Sequence, residues 1–416
     1  MLKTIYELMH IEGSRVDKTL STAVASYFSM LAINSSLKNI LRIEDGMMGS
    51  FITFLCFAPV LFYIVRSIKI VARQNRALLK KSFVVFFSIY LLSVIISLIH
   101  PQPIDLIIKG TAFQTFVFYL PIGLCACTVS DVKVLYRTLL KWSLLSSLFL
   151  LVSFATRDAL RENGLASYDM SFGVYMTLPL LLHVNEWRRT HDLTLLGLSL
   201  LEFATILMYG NRSVLLSIAF YFFGITILSK KNFSQKLPAL IVLAVAILAF
   251  IVVMGPVVIE LIGVLENAGF QSRTVGLLLS GNGAESSERL EIWENCMAMI
   301  EEKPFLGWGL GGEYYEIGRL GGFATSDVNV YFNPHNAIIQ SFVNFGIIGG
   351  LYATIYCIRP MLKLSSINNK TLFDLVLIFV AVGIIPKLVS AAGFFVHPDV
   401  AVALFLFYNK KRFEYA

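Results

Sequence analysis

The chain has 416 residues, 56% of them hydrophobic and only 15% charged, with a net charge of +7 and a mean hydropathy of +0.73. A soluble domain carries roughly 25% charged residues, so a soluble globular fold is excluded: its core would be too large for its surface. Runs such as SFVVFFSIYLLSVIISLI do not alternate in polarity, which excludes a membrane β-barrel. The positive charge is that of topogenic loops and not of a nucleic-acid-binding face.

The segment from Met1 to Lys18 is polar and lacks the apolar centre of a cleavable signal peptide. Apolar stretches of about 18 residues or more then recur, the length that crosses a bilayer as a helix. They predict spans near 20–37, 48–66, 82–99, 111–128, 139–155, 167–184, 193–209, 212–228, 237–259, 336–358, 371–390 and 392–408. The first is serine-rich and the weakest; the last two are so close that they also fit a re-entrant pair.

Between the second and third spans stand Arg66, Lys69, Arg73, Arg76, Lys80 and Lys81, which mark that side as cytoplasmic. Alternation puts Lys133, Arg137 and Lys141 on the same side, then Arg188 and Arg189, Lys230, Lys231 and Lys236, Arg359, Lys363 and Lys370, and the tail Lys410, Lys411 and Arg412. The expectation is an all-α integral membrane protein of about twelve transmembrane helices, both termini cytoplasmic, with one large extracytoplasmic loop. Its parts are nine helices in 1–263, the outer loop in 264–335 and three helices in 336–416. Cys56, Cys125, Cys127 and Cys357 lie in apolar runs and Cys296 in the loop, a pattern with neither a disulfide framework nor metal-ligand spacing.

The outer loop is acidic, so its few basic residues, Arg273, Arg289, Lys303 and Arg319, call for a reason more than those inside do. Ser287 to Glu302 predicts an amphipathic helix, with Ser287 as cap, Pro304 just past the end and Leu290, Trp293, Met297 and Ile300 on one face. Arg289 shares a face with Trp293, and the plain alternative is an arginine snorkelling from a packed edge. Gly307, Gly309, Gly311 and Gly312 predict a tight turn with close backbone approach.

Ionisable residues near membrane depth come next. Glu202, inside an apolar span, faces a bundle interior or a wet cavity; pairing with a nearby cation is the structural reading. Lys387 follows Pro386 in the outer half of its span, where a freed carbonyl can bend the helix toward a cavity. It is read either as such a structural cation or as part of a phosphate site. Arg212 opens an outward-starting helix whose unpaired N–H groups favour an anion; simple interfacial anchoring is the alternative. Arg157 and Arg161 are weaker outward candidates. His335, between Pro334 and Asn336 at the mouth of the tenth span, sits at the water boundary, and Asn336 suits a helix cap. Gly346, Gly349 and Gly350 suit close approach of a neighbouring helix. His100 and His397 are also outward, with no comparable constellation around them.

The ordered set Arg289-x-x-x-Trp293, Pro304-x-x-Gly307-x-Gly309, and His335-Asn336 leading into a span with Gln340, Gly346 and Gly349 resembles the O-antigen polymerase and O-antigen ligase superfamily. Asn211-Arg212-Ser213 resembles that family's small-residue-arginine motif, with asparagine where serine is commoner. The similarity runs from about Leu196 to Tyr356. It implies a C-type glycosyltransferase architecture with the large loop over a lateral opening for a lipid donor. It also implies polyprenyl-diphosphate-linked glycans as substrates, no cofactor and no metal. Membrane lipid, a chain-length regulator and a flippase of the same pathway are the implied partners, and nucleic acid is not. Arg212, Arg289 and His335 match the family's functional residues, and Arg161, Arg273, Trp293, Asn336, Gln340 and Lys387 are read as substrate-binding.

The reaction expected on that basis is attack of an acceptor hydroxyl on the anomeric carbon, with the lipid diphosphate leaving. Fixed guanidinium groups stabilise the departing charge. His335 is either the general base or a cationic diphosphate ligand. The product is a repeat-unit polymer, with ligation to a lipid A core as the alternative, made at the outer face of the inner membrane. A twelve-helix secondary transporter is the reading from another class. The absence of an internal repeat and of a central cytoplasmic loop argues against it.

Overall fold

The computed structural model describes residues 12–43, 46–99, 111–161, 170–209, 212–228, 285–312, 334–389 and 393–414. Within these the chain is helical and contains no strand. The helices, numbered in order, are α1 (Arg15–Ile40), α2 (Met47–Gln74), α3 (Arg76–Ile99), α4 (111–128), α5 (Val132–Arg161), α6 (Met170–Thr190), α7 (Leu193–Tyr209) and α8 (Arg212–Leu228). Then come α9 (Glu285–Glu302), α10 (Ala337–Leu362), α11 (370–389), α12 (Pro398–Tyr408) and the short α13 (Lys410–Glu414). The predicted ninth span, 237–259, lies outside the described residues.

Two sets of contacts give the bundle its ends. At one end the Asn75 amide donates to Thr128 Oγ1 (2.9 Å), Arg412 to the Thr128 carbonyl (3.0 Å), Arg189 to Asp374 (2.6 Å) and Asn369 to the Phe413 carbonyl (3.2 Å). At the other, Asn336 donates to the Leu388 carbonyl (3.1 Å) and Thr115 to the Phe395 carbonyl (2.9 Å). The helix ends near Arg76, Lys133, Arg189, Lys370 and Arg412 therefore gather at the first end.

The basic cluster from Arg66 to Lys81 is not a loop. It forms the last turns of α2 and the first of α3, broken only around Asn75. Lys133, Arg137 and Lys141 likewise belong to the start of α5. Helices lengthen here because lysine and arginine are good helix formers once the chain is in water.

α1 is central, packed against α2, α4, α5 and α6. Its serines are not exposed: Ser21, Ser26, Ser29 and Ser36 are buried, and Ser29 donates to the Trp142 carbonyl of α5 at 3.0 Å. Small side chains at a helix interface let the backbones approach. By contrast 89% of the apolar stretch of α11 is buried, and only 17% of that of α3, so α11 is the axis of the bundle and α3 its edge.

By length and composition, five of the described helices suffice to cross a membrane and four other apolar ones are shorter. The most telling of these is α12. Its 11 residues span about 16 Å at 1.5 Å per residue, against a hydrocarbon core of about 30 Å. The apolar run that predicts a full last span is part helix and part buried coil. Residues 393–397 enter the bundle unwound, where Phe394 is buried and the Phe395 carbonyl accepts its bond from Thr115. Non-helical backbone is tolerated at depth only when protein satisfies it in this way.

Candidate active site at the loop joint

α9 starts at Glu285, so Ser287 lies inside the helix and is not its cap. The helix lies on α10 through Cys296 and Met299, both fully buried with Trp308 and Val343. Met297, predicted on the packed face, is 52% exposed; Ile292, Cys296 and Met299 take the inner positions. Past Pro304 the chain turns back: Trp308 Nε1 donates to the Met299 carbonyl at 3.0 Å. The Lys303 ammonium sits 3.3 Å from the centre of the Trp308 ring, a cation–π contact.

The glycine motif then explains itself. At Gly346 α10 leaves helical geometry, with φ 67° and ψ −174°. The carbonyls of Val343 and Asn344 accept from the N–H groups of Trp308 (2.8 Å) and Gly309 (3.0 Å), and Ile347 N donates to the Pro304 carbonyl (2.7 Å). The loop thus supplies the bonds the broken helix lacks, as a membrane requires. A β-carbon at Gly346 would lie 2.4 Å from the Phe305 carbonyl oxygen, and one at Gly307 2.5 Å from that of Val343. Gly346 therefore admits loop backbone and not a neighbouring helix, and the nearest atoms to a β-carbon at Gly349 or Gly350 belong to their own span. Leu310 N donates to Ser93 Oγ at 3.0 Å, which pins the turn to α3.

The joint ends at Pro334-His335-Asn336. Asn336 caps α10, its Oδ1 accepting from Ile338 N (2.9 Å) and Ile339 N (3.2 Å), and its Nδ2 donates to the Leu388 carbonyl (3.1 Å) at the end of α11. Trp293 of α9 donates to the Pro334 carbonyl at 2.8 Å. His335, half-buried between these two ties, has φ 49°. A left-handed residue with a β-carbon is held there by its surroundings at a cost of order 1–3 kcal/mol, a strain that clusters at functional sites. α9, α10 and α11 thus meet around His335, one of the three residues expected to be catalytic with Arg212 and Arg289.

The other expected residues fall as follows. Arg289 stands on α9 one turn before Trp293, and Arg212 is the first residue of α8; Arg161 is the last of α5. The side chains of all three, and Arg273 entirely, lie outside the described residues. Gln340 is buried one turn into α10 and faces a narrow crevice with residues 393–396. Lys387, 7% exposed, does not join His335. It lines a cavity of about 490 Å³ together with His397 and Asp399. His397 therefore has a constellation that its sequence neighbours do not reveal.

A second cavity of about 470 Å³ runs between α3 and α10, lined by Val85, Ile89, Leu92, Phe345, Tyr352 and Tyr356. Ser93 and Gly309 of the joint lie along it, and Lys81 stands toward the basic end.

Glu202 meets the cation of the structural reading in His183, which the sequence reading passes over. Both are fully buried. Ser143 donates to the Leu140 carbonyl (2.7 Å) and lies 2.9 Å from His183 Nε2. His183 Nδ1 is 2.9 Å from Glu202 Oε1, and Ser147 donates to the same oxygen (2.5 Å). Glu202 Oε2 is buried without a partner among the described residues.

These features define a polytopic helical membrane protein whose polar loop is woven into a broken helix. Residues 197–354 match the family model described as O-antigen ligase. That segment, which takes in α8, α9 and most of α7 and α10 with Arg212, Arg289 and His335, is similar to the O-antigen ligase family. No curated protein matches the chain.

Proposed function

We propose that this protein is a glycosyltransferase that joins polyprenyl-diphosphate-linked oligosaccharides into a surface polysaccharide at the outer face of the bacterial inner membrane. The observation that carries this reading is the strained His335 turn, tied to α9 by Trp293 and to α11 by Asn336, inside the family-matched segment. A bundle of about twelve spans with both termini cytoplasmic puts that turn at the outer surface. The apolar groove between α3 and α10 reaches lipid at the bundle edge and suits the polyprenyl tail.

The acceptor hydroxyl attacks the anomeric carbon, the bond to the diphosphate oxygen breaks, and the electron pair leaves with the lipid diphosphate. Arg212 and Arg289 bind the departing oxygens in two-point forks, stabilising charge where it develops. His335 takes the acceptor proton. Direct displacement inverts the anomeric centre. A chain-length regulator and a flippase are the partners this role calls for.

Purified protein in liposomes, given only lipid-linked repeat units, is expected to yield a ladder of longer glycans. The family model's description as a ligase favours one second reading, in which glycan passes to a lipid A core instead. Transfer only when that acceptor is supplied would replace the polymerase by the ligase. No transfer in either case would refute both.

A further inference from the structure

The cavity beside Lys387 has a chemistry of its own. Its volume of about 490 Å³ falls within the range of ligand sites, about 300–1,000 Å³, and six of the helices and the 396–399 segment build it. Tyr27, Phe57 and Phe118 pack ring to ring along one wall, with centroids 5.2 to 6.4 Å apart. Among the polar groups Lys387 supplies an ammonium and Asp399 a carboxylate close enough to attract it. Ser29 and Ser146 also line the cavity, but each spends its proton on a backbone carbonyl, of Trp142 and of Ser143, both at 3.0 Å. Their hydroxyl oxygens can therefore only accept.

This inventory tells two ligand classes apart. A diphosphate carries acceptors alone and negative charge. Here it would meet a single ammonium with a carboxylate nearby and serine hydroxyls whose protons are already spent, leaving His397, Gln114 and the tyrosine hydroxyls as the other donors on the wall. A sugar hydroxyl is both donor and acceptor, so it satisfies the ammonium, the carboxylate and the serine oxygens together. Aromatic rings offer the apolar body that the C–H faces of a pyranose pack against.

We propose that this cavity binds a neutral sugar residue of the acceptor glycan, and that Lys387 and Asp399 bind its hydroxyls and not phosphate. This rests on the glycosyltransferase reading for the identity of the ligand. The position fits: Leu388, next to Lys387, gives its carbonyl to Asn336, so the wall of the cavity is joined to the His335 turn.

The test reads binding without turnover. Val174 lines the cavity and is 38% exposed, and Phe113 on another wall is 57% exposed, whereas the described native cysteines are buried. Val174→Cys and, as a second reporter, Phe113→Cys are labelled with a water-soluble thiol reagent in nanodiscs. The competitors are a panel of neutral methyl hexosides and N-acetylhexosaminides or inorganic pyrophosphate. At least one glycoside is expected to slow labelling at both positions while pyrophosphate does not. Asp399→Asn is expected to weaken that protection about tenfold, the loss of one hydrogen bond to a charged group. Protection by pyrophosphate alone, by neither probe, or by glycosides with no effect of Asp399→Asn would each overturn the assignment. Because no transfer is measured, a protein that shows protection but no chain growth would refute the polymerase and leave the sugar site standing.

Discussion

Two of the acid–base pairings among the described residues, His183 with Glu202 and Lys387 with Asp399, differ in their surroundings. His183 and Glu202 are wholly buried and close on each other and on the hydroxyls of Ser143 and Ser147. Lys387 and Asp399 face a cavity large enough for a ligand. An ionisable residue at membrane depth invites a functional reading by default. The contrast shows that the useful question is whether the pair closes on its own neighbours or opens onto space. The first pair is a clamp between α6 and α7; the second is a surface for something else.

The largest effect expected from this contrast is on stability. His183→Leu leaves Glu202 uncompensated and should cost about 3–5 kcal/mol, read as a fall in the unfolding temperature in detergent. The double variant His183→Leu/Glu202→Leu should recover most of it, because replacing a buried pair by apolar side chains is often neutral. Lys387→Met should change stability by less than about 1 kcal/mol, since water in the cavity can solvate Asp399. Equal losses in Lys387→Met and His183→Leu would erase the distinction between the pairs.

The joint is expected to answer next. Gly346→Ala puts a β-carbon against the Phe305 carbonyl at a left-handed φ, a local cost of about 1–3 kcal/mol. Cys296, sealed between α9 and α10, is the natural reporter, and its thiol should become reactive as the loop lifts. An unreactive Cys296 in that variant would show that the loop is not held by the broken helix. A smaller effect is expected from Arg289→Lys: the charge stays but the fork is lost, and glycan transfer should fall about tenfold or more at equal expression, the worth of a charged hydrogen bond. Undiminished transfer would return Arg289 to the snorkelling role.

Much of this was legible in the sequence because apolar run length and basic flanks report directly on membrane crossing. The starts and ends of α7 and α8, the Asn336 cap and the close approach at Gly307 follow from residue types alone. α12 is misread because apolar coil buried in protein and apolar helix have the same composition. The inner face of α9 is misread because Ile292, Trp293, Cys296, Met297, Met299 and Ile300 offer apolar residues on several sides, and only the Trp308 turn decides between them. Both pairs join residues from separate helices, so neither appears in any local pattern. A polar residue recurring at depth in separate spans, as at Ser143, His183 and Glu202, is the signal that could have found the first.

The account turns on His335. The direct measurement is donor binding and single-turnover rate in wild type and His335→Ala, across pH. The account predicts a variant that still binds lipid-linked donor and turns over at least about a hundredfold more slowly, the lower range for general-base catalysis. Neutral imidazole is the active form, so wild-type turnover should fall as pH drops through the range where histidine protonates, normally about 6.5. Normal binding and normal turnover in His335→Ala would contradict it, and leave the strained turn as no more than the start of a helix.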